Sequence, residues 1–306
     1  MSSDPMNPSP PASSEPLDGL TTRPTRRASV GLYVVMLLVL LLLRGLSATP
    51  SADVPVRNMD EQLMFAVGVS SLTGGPANTI GWPGGPMRFA TTALVPTVFA
   101  IEHHDAILHR RRDVPLEFVR FLGGELRDPW RMVGLLRWTS IVLSSLGFAL
   151  LPLILRRLTA SNVVAFGVAL VALCGGTLWV RSLMATGDAV GWAIIVVGLW
   201  AAVRSRESAQ HWTRWAMIAA LCAGLATGSK LTAVYAWPLL FVAGIRSRRT
   251  LFASFAIWLV LPAIGHYLMN PYVATDTIRF AKAVVGNVLV RGVNTPLLES
   301  VRDGIP

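Results

Sequence analysis

The chain has 306 residues, of which 53% are hydrophobic and only 14% charged, with a formal net charge of +10. A soluble domain carries about a quarter charged residues, and here the apolar residues come in long runs rather than at amphipathic spacing, so the composition excludes an ordinary soluble domain and indicates a polytopic membrane protein. The positive charge does not indicate nucleic acid: most basic residues fall in short loops between apolar runs, and no basic groove with stacking aromatics for single strands is apparent.

Residues 1–28 are rich in Ser and Pro and poor in aliphatics, which predicts a disordered cytoplasmic tail. The run "VGLYVVMLLVLLLL" follows, from Val30 to Leu43, with Arg23, Arg26 and Arg27 ahead of it. Those arginines place its N-terminal end in the cytoplasm. A cleaved signal peptide is the alternative for this segment, because the apolar stretch is short and small residues follow. Either reading puts Asp60 and Glu61, in "VPVRNMDEQLMF", on the far side of the membrane. Arg44, near the outer end of this span, is expected to snorkel to the interface.

Residues 49–132 read as an exterior loop. Within it, "MRFATTALVPTVFAIE" is apolar but short and contains Pro96, which suits an exterior juxtamembrane helix. "EHHDAILH" brings together His103, His104, Asp105 and His109, but adjacent histidines do not share a helix face and the spacing is not that of a zinc peptidase.

Further apolar runs at about 133–155, 161–180, 188–203, 213–229, 231–245 and 250–269 predict six more spans. Arg156 and Arg157, then Arg204, Arg206 and Arg214, then Arg246, Arg248 and Arg249, occupy every second junction. If 133–155 is the second span, every such cluster is cytoplasmic, as the positive-inside rule requires. The expectation is therefore an all-α, multi-pass bundle with seven spans, the N-terminus cytoplasmic and residues 281–306 an exterior tail. The short loops suit an inner (plasma) membrane. Cys174 and Cys222 lie inside apolar runs, where disulfide, zinc and Cys-x-x-Cys readings all fail on spacing.

This topology collects polar residues at one face: Asp60 and Glu61, Arg181 and Asp188 in "VRSLMATGDAV", Lys230 in "ATGSKLTAV", and Asn270 in "MNPYVATD". Charges at membrane depth are costly and tend to be functional. Each also has a plain reading: a solvated acidic pair, a helix N-cap at Asp188, a snorkelling Lys230. No P-loop, serine elbow or dinucleotide fingerprint is present, so nothing in the sequence suggests an ATPase or a soluble hydrolase.

The ordered set "NMDEQ", "GWPGGPMRF", "LLRWTSIVLSSLGFALLPLILRRL", "RSLMATGDA", "LCAGLATGSKLTAVYAWPLL" and "MNPYVATD" resembles the GT-C superfamily of polytopic glycosyltransferases, which includes the protein O-mannosyltransferases and the aminoarabinose transferase. The resemblance covers about residues 30–280. It implies a GT-C-like transmembrane module at 29–280 with juxtamembrane helices after the first span, and a sugar donor carried on a polyprenyl phosphate. It implies a hydroxyl acceptor on a cell-envelope glycan, lipid or protein. Asp60 would then be the general base, with Glu61 as its catalytic support, orienting the acceptor or holding Asp60. Arg181 and Lys230 would hold the donor phosphate, and Asp188, Arg137 and Asn270 would support them. Two carboxylates at one mouth could also hold a divalent cation, Mg or Mn. The chain stops soon after its seventh span and has Trp82-Pro83-Gly84-Gly85-Pro86 where many relatives have a His-Pro-Pro type of sequence. A truncated or non-catalytic membrane partner is therefore an alternative, as is a lipid or solute transporter.

Overall fold

The computed structural model describes residues 26–48, 59–72, 85–109, 112–159, 161–175, 183–184, 186–245, 247 and 250–271. Among them every regular element is helical and no strand occurs, as an all-α bundle requires. In chain order the helices are α1 (Arg26–Ala48), α2 (Met59–Leu72), α3 (Gly85–Glu102), α4 (His104–Leu108), α5 (Val114–Arg127), α6 (Trp130–Phe148), α7 (Leu151–Thr159) and α8 (Asn162–Cys174). Then come α9 (Gly187–Glu207), α10 (Trp212–Ser229), a 3-10 turn (Leu231–Ala236), α11 (Trp237–Gly244) and α12 (Leu251–Met269).

Four stretches are long and apolar enough to cross a bilayer: Arg27–Ser47, Trp130–Thr159, Gly187–Glu207 and Leu251–Met269. Their outward faces carry Leu38, Leu42, Phe252, Phe255 and Leu259 in the open. In water so large an apolar surface would drive association, whereas in a bilayer it faces lipid tails. The second stretch is α6 and α7 together. Pro152 can donate no backbone hydrogen bond, and Ala149 and Leu150 form a turn in which the amide of Leu150 donates to the carbonyl of Gly147 at 3.1 Å. Pro96 likewise sits inside α3, where the Thr97 hydroxyl donates to the Ala93 carbonyl at 2.7 Å.

α10 has small residues where α1 and α12 have bulky ones, and it packs between α9 and α12. A Cβ on Gly224 would meet the Pro262 carbonyl oxygen at 2.0 Å, and one on Gly265 would meet that of Leu221 at 2.5 Å. Backbone therefore touches backbone, the close approach that small residues permit between membrane helices. On its other side, Gly198 of α9 admits Cys222, a Cβ there lying 3.1 Å from the Cys222 Cβ. α2 and α3 pair in the same way at Gly68 and Thr91.

These contacts fix which helix ends meet. At one end, Gly85 of α3 lies against Met269, the Arg88 guanidinium donates to the Met269 carbonyl at 3.1 Å, and the Asn270 amide donates to the Gly228 carbonyl at 2.9 Å. An apolar cluster of Met64, Phe65, Met87, Val133, Leu136 and Val190 ties α2, α3, α6 and α9 together near that end. At the other end Arg157 of α7 pairs with Glu207 of α9, and the buried Ser205 hydroxyl donates to the carbonyls of Trp212 and Gly244.

Candidate functional site: two ion pairs at one end of the bundle

Asp60 and Glu61 occupy the first turn of α2. Successive helical residues are turned about 100° from each other, so two adjacent side chains cannot face the same way. Glu61 points inward and is fully buried. It accepts from Arg137 at both oxygens, Nε to Oε1 at 2.9 Å and a terminal nitrogen to Oε2 at 2.6 Å. This fork is the strong, orienting form of a carboxylate–guanidinium contact. It joins α2 to the first half of α6 across 76 positions of sequence. The Asp60 side chain and all of Arg181 lie outside the described residues.

The second pair joins Asp188 to Lys230, Nζ to Oδ2 at 2.5 Å. Asp188 stands in the first turn of α9, where a carboxylate is favoured by the helix dipole. Lys230 follows the last residue of α10. The two helices meet there because Gly191 has no side chain: a Cβ on it would lie 3.2 Å from the Ser229 Cβ and 3.9 Å from that of Lys230. Asn270 is close by, since its side-chain amide is bonded to Gly228, two residues before Lys230. Val190 and Leu136 share the apolar cluster, so the first turn of α9 and the Arg137 turn of α6 flank one core.

The N-cap of α9 is Thr186, so the alternative reading of Asp188 as the cap is corrected: Asp188 is the second residue of the helix. Thr186 has the extended backbone of a cap, φ −110 and ψ 157, yet its hydroxyl accepts no capping bond. Its side-chain oxygen is buried and has no hydrogen-bond partner. The sequence drew attention to Asp188 and passed over this residue, although "ATGD" ahead of an apolar run is itself a cap signal.

Arg44 requires a second correction. It does not snorkel: it is fully buried and donates to the Ser144 and Ser145 hydroxyls at 3.1 and 3.2 Å, with its guanidinium 5.0 Å from the centre of the Phe148 ring. Two hydroxyls and an aromatic face on α6 supply inside the bundle what the interface would supply outside. Of the histidines in this segment, His103 and His104 make local contacts. His103 stacks on Phe99 and lies 3.6 Å from Glu117, and the exposed His104 lies 3.1 Å from Asp105. Among the described residues, no group of three or more His, Cys, Asp or Glu is placed to hold a metal ion. Glu61 and Asp188 are each engaged by a cation, and the Asp60 side chain, the other carboxylate considered for Mg or Mn, lies outside the described residues. No chemical step is therefore assigned to a metal.

No curated protein and no solved structure matches the chain significantly. Residues 134–274 match the model of the dolichyl-phosphate-mannose-protein mannosyltransferase family. The matched segment runs from α6 past α12 and holds Arg137, Arg181, Asp188, Lys230 and Asn270, while Asp60 and Glu61 precede it. This match supports reading the chain as a GT-C-like membrane glycosyltransferase.

Proposed function

We propose that the chain transfers a sugar from a polyprenyl-phosphate donor to a hydroxyl acceptor at the extracytoplasmic face of the inner (plasma) membrane, with inversion at the anomeric carbon. The observation that carries this reading is the family match across the segment that builds the Asp188–Lys230 pair. In the reaction the acceptor oxygen attacks the anomeric carbon while the bond from that carbon to the phosphate oxygen breaks. The acceptor proton passes to the Asp60 carboxylate, and the electron pair leaves with the polyprenyl phosphate. A hydroxyl needs a base in this step, whereas a phosphate needs only a cation to meet its growing charge. Lys230 and Arg181 take that role.

Glu61 acts through Arg137: their fork fixes the first turn of α2, the turn that carries Asp60. Asp188 holds Lys230 in place, and Asn270 ties the end of α12 to α10 beside it. The apolar bundle gives the isoprenoid tail a low-dielectric bed, and the acceptor is a cell-envelope glycan, lipid or protein that approaches from water.

The test is transfer by the full chain in liposomes, with labelled polyprenyl-phosphate sugars as donors. Asp60→Asn should lower the rate by about 10²- to 10⁴-fold, the usual worth of a general base. Undiminished transfer removes Asp60 from that role, and a retained anomeric configuration in the product removes direct displacement. Asn58→Cys, in a background lacking the native cysteines, should react with an impermeant thiol reagent added outside; labelling from the cytoplasmic side alone reverses the orientation.

A further inference from the structure

The hydroxyl of Thr186, at this end of α9, takes no part in the Asp188–Lys230 pair. Thr186 is 6% exposed, and its side-chain oxygen has no hydrogen-bond partner. A buried hydroxyl left unbonded is unfavourable, and native structures keep few of them. A Thr at an N-cap normally satisfies itself by accepting from the amides of the first turn, but this one does not. Those first-turn amides have no carbonyl ahead of them inside the helix. Gly187, the first helical residue, presents no side chain in front of its own amide. Lys230 is brought alongside by the Gly191 contact, and only one of its three N–H donors is needed for Asp188.

Every group offered here can donate: a hydroxyl, the amides of a helix N-terminus and an ammonium, with the neighbouring carboxylate already neutralised. The matching ligand is an acceptor-only anion, and a phosphate fits. We propose that the N-terminus of α9, with the Thr186 hydroxyl, is the seat of the phosphate of the lipid-linked donor, and that Thr186 is a binding residue beside Lys230. This rests on the proposed glycosyl transfer and deepens it. The donor's phosphate diester carries one negative charge, and the departing monoester gains another. Donors set at that position bind the phosphate more strongly as the sugar leaves, which lowers the barrier rather than only raising affinity.

The test titrates the full chain in detergent with three probes: a polyprenyl monophosphate, the matching polyprenol and inorganic phosphate. The variants are Thr186→Val, Thr186→Ser and Lys230→Met. Thr186→Val should weaken polyprenyl monophosphate binding about tenfold or more, the worth of one bond to a charged partner, and leave polyprenol binding unchanged. Thr186→Ser should stay within about twofold of the parent. The ligand-free valine variant should melt no lower than the parent, because it loses a hydroxyl that made no bond. A merely structural threonine would instead lower the melting point, and that result overturns the proposal. If the valine variant binds the monophosphate like the parent while Lys230→Met does not, the inference fails and the proposed function stands. If neither variant loses affinity, Lys230 falls with Thr186. Equal affinity for inorganic phosphate, lost equally in Thr186→Val, would assign the site to free phosphate and overturn the lipid-linked ligand. Should the valine variant not accumulate, Thr186→Ala carries the same expectation.

Discussion

The fork between Glu61 and Arg137 gives the sharpest quantitative test of how α2 is held. Arg137→Met removes two charge-assisted bonds, at 2.9 and 2.6 Å, from a carboxylate with no solvent exposure. Breaking a fully buried pair costs roughly 3–5 kcal/mol. The Arg137 side chain keeps 21% of its surface open, so the lower figure, about 3 kcal/mol, is the expected loss. Glu61→Gln should lose a similar amount. The double variant, in which neither charge remains, should lose little more than either single one, giving a coupling of about 2 kcal/mol or more. Unfolding in mixed micelles, driven by an increasing fraction of ionic detergent and followed by tryptophan fluorescence, measures each corner of the cycle. Additive losses, with coupling below about 0.5 kcal/mol, would refute the claim that this contact anchors the first turn of α2.

Other consequences are direct. Gly224→Leu forces side-chain atoms into the Pro262 backbone and should cost more than about 3 kcal/mol or abolish accumulation, whereas Gly31→Ala, with nothing within 4 Å, should be nearly silent in the same unfolding assay. Ser144→Ala and Ser145→Ala each take one acceptor from the buried Arg44, so each should lower stability by about 1.5–3 kcal/mol, while Ser47→Ala on the exposed side should not. Lys230→Met should raise the donor concentration needed for half-maximal transfer at least tenfold, read from a donor titration in liposomes; an unchanged titration would remove Lys230 from the phosphate.

Hydrophobic runs made most of the helices legible, because membrane helices must satisfy their own backbone and so declare themselves by composition. Gly187–Glu207 and Leu251–Met269 are sequence-local in that sense. The misreadings involve long-range partners. Arg44 stands near a span end, where snorkelling is usual, and nothing nearby announces that Ser144 and Ser145 lie beneath it, about 100 residues on. "NMDEQ" flagged two carboxylates, but only the 100° turn between neighbours separates an inward Glu61 from its neighbour, and only the fold supplies Arg137. "CAGLATGS" reads only as part of the apolar run at 213–229; its small residues also record how closely α9 and α12 approach. Thr186 was passed over because the acidic Asp188 two residues on drew the cap reading to itself; that the Thr186 hydroxyl is buried and unbonded is visible only in the fold.

The backbone contact between α10 and α12 has a consequence for how such a protein can diversify. Lys230 and Asn270 stand at the ends of two rods that are locked flank to flank at Gly224 and Gly265. Neither rod can slide or tilt without the other, so the spacing of those two residues is a fixed gauge. Under the proposed transfer, a change of head group would then be accommodated by exchanging residues at the tips of these helices rather than by widening this wall.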